Sequence, residues 1–149
     1  MKTLILITCS ILLFSCGSPT KTPQSHNSID EETQTSQEFI DMDFAEFSEK
    51  LSQQNEKLTA KEVMQLFYPH KASTGEGNEK ITISEKTLDG EIVEVTLIHA
   101  NLLDDSVRDI KYVMKLEESK ATWTVLSLKQ SFRCWEGRGH TDWGADLCR

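Results

Sequence analysis

The chain lacks an apolar run long enough to cross a bilayer as a helix. Its longest apolar stretch extends from Thr3 to Phe14, whereas a transmembrane helix needs about 20 apolar residues. Basic charge is also scarce: 16 lysines and arginines stand against 24 aspartates and glutamates, a formal charge of −8. This balance argues against nucleic acid as a partner, because the phosphate backbone repels an acidic protein.

Histidine is scarce as well, which bears on metal binding and on catalysis. The four histidines are scattered along the chain, at His26, His70, His99 and His140. No zinc-ligand spacing includes them, so we predict no metal and no cofactor. His70, after Pro69, and His99, at the end of the second predicted strand, are expected to be surface or helix-end residues rather than ligands. A weak alternative is a metal held by His140, Asp142 and Asp146.

The amino-terminal residues combine a basic start at Lys2, a short apolar run, and Leu13-Phe14-Ser15-Cys16. This order is typical of a secretory signal, and it resembles a bacterial lipoprotein signal with its lipobox. The resemblance implies that residues 1–15 are removed and that Cys16 becomes the first residue, with diacylglycerol on its sulfur. An uncleaved anchor is the alternative. We therefore expect a lipid-anchored protein of the bacterial cell envelope, facing the periplasm.

The segment 16–36 follows as a flexible tether in this interpretation. It is polar, contains two prolines and has Ile29 as its single aliphatic residue. Such a composition cannot bury enough apolar surface to fold. The remaining residues, 37–149, are predicted to form a single domain.

The four cysteines separate by position. Cys9 leaves with the signal and Cys16 is lipidated, so Cys134 and Cys148 remain as an even pair. In an oxidising compartment such a pair predicts one disulfide. Two free thiols, or half of a metal site, are the alternatives.

Two short amphipathic helices are predicted at the start of the domain. The first begins at Asp43, which with Glu46 resembles a capping box, and the second begins at Thr59 with Glu62. Pro69 ends the second helix. Apolar side chains recur at helical spacing in both segments: Phe44, Phe47 and Leu51, then Val63, Met64 and Phe67.

Three or four antiparallel strands are predicted after the helices. Asp89-Gly90 signals a hairpin, and a three-residue loop pairs Ile81 with Leu97 and Ile83 with Val95, with Gly90 in the left-handed conformation. The alternation in the last strand slips near Leu126, which indicates a bulge or burial on both faces. The fold class is α+β: two short helices packed on a meander sheet, similar in outline to cystatin-like and nuclear-transport-factor-like folds.

The unusual chemistry lies at the carboxyl end. The segment CWEGRGHTDW, which begins at Cys134 and is followed by Cys148, resembles the ending of uncharacterised small envelope lipoproteins. This resemblance implies a location in the cell envelope and no particular chemical activity. Six residues are candidates for ligand binding: Arg133, Trp135, Arg138, His140, Asp142 and Trp143. Backbone N–H groups around Gly137 and Gly139 could add an anion-binding nest.

These residues predict a binding or interaction module for an envelope protein or a small anionic or sugar-like ligand. The alternative for the side chains is structural: Arg138 pairs with Asp142 or Asp146, and the tryptophans fill the end of the core. A second alternative is an envelope hydrolase that uses His140 and Asp142, although no nucleophile elbow or triad accompanies them. A third is a structural or inhibitor-like lipoprotein. Whether the chain is an enzyme therefore stays open, with binding favoured and no catalytic residue assigned.

Overall fold

The computed structural model describes residues 38–73, 78–120 and 122–149, which belong to one compact unit. The expected signal peptide (1–15), Cys16 and the tether (16–36) lie outside the described residues. The fold class is α+β, with helices beside an open antiparallel sheet. None of the described helices combines the length and the apolar character needed to cross a membrane.

Within the described residues the sheet contains five strands in the order β1-β5-β4-β3-β2, so the prediction of three or four strands is wrong. The additional strand is β1, whose two residues pair with β5 and place Ile40 opposite Gln130. Two residues are too few to show an alternating pattern. The elements are β1 (Ile40–Asp41), α1 (Ala45–Ser52), α2 (Ala60–Phe67), β2 (Lys80–Asp89), β3 (Ile92–Ala100), β4 (Val107–Ser119) and β5 (Thr122–Cys134).

One of the two predicted capping boxes is present at the start of its helix. The Thr59 hydroxyl accepts the Glu62 N–H at 3.3 Å and Glu62 Oε2 accepts the Thr59 N–H at 2.7 Å, which confirms this capping box. The capping box at Asp43 is wrong, because α1 has Phe44 as its N-cap without a side-chain cap. The Asp43 carboxylate accepts the Ala45 N–H at 2.9 Å, as in a local turn ahead of the helix.

The β2–β3 hairpin has a different register from the predicted one. Ile81 lies opposite His99 and Ile83 opposite Leu97, a displacement of two residues. The loop is Gly90-Glu91 alone, and a shift between Thr87 and Asp89 bulges Leu88 out of the ladder. A shift of two residues preserves the side-chain alternation, so the isoleucines share a face with buried Leu97, as predicted. Gly90 has a φ of 50°, which confirms the left-handed conformation.

The bulge predicted in the last strand is confirmed. Lys115 pairs with Ser127 and Leu116 with Val125, which leaves Leu126 unpaired and 42% exposed. A second shift leaves Arg108 without a partner in the ladder between β4 and β5. Both irregularities lie at the β4–β5 pairing, and the second lies next to the carboxyl-terminal loop.

The core lies between the helices and one face of the sheet. Helix α1 packs against β5, and α2 packs against β2 and β3. The Trp123 indole donates to the Leu58 carbonyl at 2.7 Å and joins the segment between the helices to β5. The fully buried apolar side chains at the centre are Val63, Met64, Val95, Leu97, Met114 and Leu116.

Candidate functional site: the carboxyl-terminal loop

The carboxyl-terminal loop, residues 134–148, is closed by a disulfide, as predicted. Cys134 ends β5 and is bonded to Cys148, with their Cα atoms 5.4 Å apart. Gly144 and Phe132 exchange backbone hydrogen bonds of 3.1 and 2.9 Å, and the Cys134 N–H donates to the His140 carbonyl at 2.9 Å. The loop therefore folds back along the same strand that it leaves.

His140 lies inside this loop and connects two parts of it. Its Nδ1 is 2.8 Å from the Asp142 carbonyl oxygen, and its Nε2 is 2.8 Å from the Asp146 carbonyl oxygen. A carbonyl oxygen can only accept, so both hydrogen bonds form together only when the ring is a charged imidazolium. Accordingly, the carbonyls of Asp146 and Asp142 raise the pKa of His140 above its ordinary value.

This arrangement bears on the hydrolase alternative. A general base needs a ring nitrogen that can take a proton from a reacting group, and both nitrogens of His140 are directed at carbonyl oxygens of its own loop. Its contact with Asp142 is made by the backbone carbonyl. The geometry thus favours a role for His140 as a charged internal brace over a role in proton transfer.

A shallow pocket of about 650 Å³ opens beside His140. Two further cationic side chains, Arg138 and Arg149, line it, whereas Asp146 is the one acidic residue in its lining. The Arg149 N–H donates to the Arg138 carbonyl at 2.8 Å, which joins the two sides of the loop. The complete lining is Gly137, Arg138, Gly139, His140, Asp146, Leu147 and Arg149.

The Arg138 guanidinium extends towards solvent. Its ion pair is with Asp105 at 3.9 Å, and the two side chains are 49% and 87% exposed. The expected alternative, a pair with Asp142 or Asp146, is therefore not what the structure shows. An exposed pair at this distance contributes little to stability, so Arg138 can exchange Asp105 for another anion at small cost.

Two glycines shape the rim of the pocket. Gly137 has a φ of 79° and Gly139 a φ of 146°, conformations that side chains rarely adopt. A Cβ on Gly139 would lie 2.7 Å from the Cys134 sulfur. The glycines thus allow the loop to turn tightly against its own disulfide.

Neither tryptophan of the loop lines the pocket. Trp135 is 37% exposed, and its indole donates to the Asp104 carbonyl at 2.8 Å. Trp143 lies against the sheet, with Arg133 Cζ 4.3 Å and Lys111 Nζ 4.4 Å from its ring centroid. Lys111 Nζ is also 4.6 Å from the ring centroid of Phe39 and 2.8 Å from Glu38.

A buried carboxylate anchors the sheet side of the loop. Asp109 accepts hydrogen bonds from Arg108 Nε at 2.9 Å and from the Asn101 N–H at 3.0 Å. Arg133 Nε is 2.8 Å from Asp109 Oδ2, although its N–H has no hydrogen-bond partner in suitable geometry. Arg108 also donates to the Thr141 carbonyl at 3.3 Å. This charged network holds the loop against β4 and β5.

The structure therefore divides the six residues predicted to bind a ligand. Only Arg138 and His140 share the pocket. Arg133 and Trp143 contact each other on the sheet, Trp135 lies against Asp104, and Asp142 contributes its carbonyl to His140. No pattern in the sequence marks Arg149 as a site residue: it lies 11 residues beyond Arg138, and only the closed loop brings the two together.

A second polar cluster, away from the loop, was also missed. His99 is 4% exposed, so its expected surface position is wrong, although it does lie near the end of β3. Its Nδ1 is 2.8 Å from the Tyr68 hydroxyl and its Nε2 is 2.8 Å from Glu79. Its alternation with buried Val95 and Leu97 could have placed it on the core face.

Glu79 continues this cluster by accepting the Ser73 N–H at 2.7 Å. That hydrogen bond is the main cause of the lowered pKa of Glu79, while burial raises the pKa of Tyr68. The cluster joins the chain after α2 to the end of β3. Its polar atoms satisfy one another, which is how buried polar groups are usually accommodated.

Within residues 38–73, 78–120 and 122–149, no three potential metal ligands among histidine, cysteine, aspartate and glutamate are placed to hold an ion together. No family model, curated protein sequence or solved structure shows significant similarity to the chain.

Proposed function

We propose that this chain is a lipid-anchored protein of the bacterial envelope that binds a small anionic ligand in the pocket of its carboxyl-terminal loop. One observation supports the ligand class above all: Arg138, His140 and Arg149 line the pocket together with one acidic side chain, Asp146, in a chain whose formal charge is −8. A local cationic site in an acidic protein concentrates anions where the rest of the surface repels them.

The proposed location in the cell envelope is supported by the sequence and by the disulfide. Leu13-Phe14-Ser15-Cys16 resembles a lipobox, and we propose that Cys16 carries the lipid and that the domain faces the periplasm. A disulfide such as Cys134–Cys148 is typical of proteins in oxidising compartments. Helices followed by a meander sheet are similar in outline to cystatin-like and nuclear-transport-factor-like folds, a likeness that we propose for the architecture alone.

The side chains favour a carboxylate or a phosphate over a sugar ring. The Arg138 guanidinium presents a planar set of donors that matches both anions. Trp135 and Trp143, the side chains on which a sugar could stack, lie outside the pocket. The volume of about 650 Å³ is in the range of about 300–1,000 Å³ that is usual for small-ligand sites.

Calorimetric titration of the folded domain with citrate, succinate, inorganic phosphate and glucose tests this proposal. We expect at least one of the three acids to bind and glucose not to bind. Arg138→Gln should weaken that binding about tenfold, as for the loss of a charged hydrogen bond. Lys57→Gln, at an exposed lysine outside the pocket, is the matched control and should leave the affinity unchanged.

Two results would contradict the proposal. One is the absence of binding by all three acids at concentrations of about 10 mM. The other is binding that Arg138→Gln and Lys57→Gln reduce equally, because this would indicate a general charge effect rather than a site.

A further inference from the structure

The outer side of β2 (Lys80–Asp89) is an open sheet edge. The strand order places β2 last in the sheet, with β3 on one side and no described strand on the other. At the opposite end, the outer edge of β5 is paired with β1 and, at Phe132, with Gly144. An open edge presents backbone N–H and C=O groups, at alternate residues, to any extended chain that approaches it.

A groove of about 530 Å³ lies beside this edge, on the helix side of the sheet. Ile81 and Ile83 form its apolar floor, and both are only half-buried against the core. A strand added next to β2 would direct every second side chain towards this groove, because side chains alternate between the faces of a sheet. The complete lining is Lys61, Gln65, His70, Lys71, Ala72, Ile81 and Ile83.

The charged side chains that line the groove are cationic. Lys61 and Lys71 line it, and its lining contains no carboxylate. Glu85 marks its end, because it follows Ile81 and Ile83 on the same face and lies 4.0 Å from Lys61. An inward-facing charge on an edge strand opposes further pairing, so the usable edge is the half from Lys80 to Ser84.

We propose that this edge and groove bind an extended segment of a partner protein in which apolar and acidic side chains occur on the groove-facing side. The backbone of the segment pairs with Lys80–Ser84, its apolar side chains cover Ile81 and Ile83, and its carboxylates reach Lys61 and Lys71. Backbone pairing supplies affinity and the groove supplies selectivity, as in other cases of strand addition. This inference is independent of the anion pocket in the carboxyl-terminal loop.

A second copy of this chain is a less suitable occupant. Antiparallel pairing of Lys80–Ser84 with the same residues of another copy would bring two grooves with the same cationic lining side by side. Like charges brought close together across an interface oppose association. An acidic segment from another protein meets no such repulsion.

The test begins with a displayed library of random decapeptides, selected on the immobilised folded domain. We expect enriched peptides in which apolar and acidic residues alternate with residues of any type. The double variant Lys61→Glu, Lys71→Glu should bind their synthetic forms at least about tenfold more weakly, since each exposed charge contact is worth a fraction of a kcal/mol and two signs are reversed. Lys57→Glu with Lys129→Glu, which makes the same charge change outside the groove, should keep most of the affinity.

Peptides methylated on backbone nitrogens separate strand addition from simple charge attraction. Methylation at one set of alternate residues should abolish binding, whereas methylation at the other set should be tolerated, because only one set faces β2. The proposal fails if no peptide is enriched. It also fails if the affinity withstands both methylation patterns, or if the groove variant and its control behave alike. A concentration-dependent dimer that is lost on substitution in β2 would overturn it in favour of a second copy.

Discussion

The His140 ring lies directly over Gly144. A Cβ at position 144 would be 2.9 Å from Cε1 of His140 and 3.0 Å from its Nδ1. The ring cannot move aside freely, because hydrogen bonds hold it to the carbonyls of Asp142 and Asp146. Glycine is therefore required at this position for the space that it leaves, and its φ plays no part.

Gly144→Ala should destabilise the domain by about 1–3 kcal/mol, the usual cost of overpacking. Thermal unfolding should show a melting temperature lower by several degrees. The control is the same substitution combined with His140→Ala, where the added methyl group has room. If Gly144→Ala costs as much in the His140→Ala background as in the wild type, the contact is not the cause.

The charge on His140 should make stability depend on pH. Its folded pKa is raised, chiefly by the Asp146 carbonyl and then by the Asp142 carbonyl. The stabilisation of the folded state by the charged ring is therefore fully present below the ordinary pKa of 6.5. It is lost as the pH rises through the pKa of His140 in the folded protein. Melting temperatures between about pH 5 and pH 9 should fall across this window in the wild type, and His140→Gln should flatten the fall. An unchanged slope in that variant would refute the assignment.

Reduction of the Cys134–Cys148 disulfide should lower the melting temperature. The bridge closes a loop of about 15 residues, for which chain entropy gives roughly 3 kcal/mol. Tryptophan emission should shift to longer wavelength, mainly from Trp143, because Trp135 is already 37% exposed. Trp123 is held by Leu58 far along the sheet and should respond least, which variants with a single tryptophan can establish. Free thiols in protein isolated under thiol-blocking conditions would contradict the bridge.

Cys16→Ser should release the protein from membranes into the soluble envelope fraction. The expectation follows from the resemblance of Leu13-Phe14-Ser15-Cys16 to a lipobox. Without Cys16 the protein would lose its acyl chains, which contribute about 0.8 kcal/mol of membrane-binding free energy for each buried methylene. Cell fractionation measures the release from membranes, and the intact mass of the mature protein measures the loss of the acyl chains. Cys9→Ser is the matched control and should leave the fraction and the mass unchanged. Membrane retention with an unchanged mass in the Cys16→Ser variant would exclude lipidation at this residue.

Local chemistry made several features of the fold predictable. The Thr59 capping box depends on residues three apart, and the Leu126 bulge appears as a slip in alternation within one strand. The register of the β2–β3 hairpin depends instead on whether Leu88 bulges out of the ladder. A three-residue loop, or a two-residue loop with a bulge at Leu88, would place the isoleucines of β2 on the same face of the sheet. Strand β1 depends on an edge of β5 that is more than 80 residues away in the chain.

The candidate site was predictable as a segment and not as a set of side chains. The cysteines indicate that the loop is closed, but the spacing of Arg138, Trp143 and Arg149 does not indicate which of them meet. The bridge between Gly144 and Phe132 decides this, since it directs Trp143 to the sheet and leaves the arginines together. His99 shows the opposite case: its polarity predicts the surface, whereas its position two residues after Leu97 predicts the buried face that it occupies.

The position of Lys111 between Phe39 and Trp143 has a mechanical consequence. A load applied along the chain ahead of Glu38 would meet the Lys111–Glu38 ion pair and the two-residue β1 pairing before it reached any helix. Releasing these contacts would separate Phe39 from Lys111. The Lys111 ammonium, which lies against the Trp143 ring, would then lose its contacts with Glu38 and Phe39. Tension at the amino-terminal end of the domain would thus act on the support of Trp143 before it reached the core between the helices and the sheet.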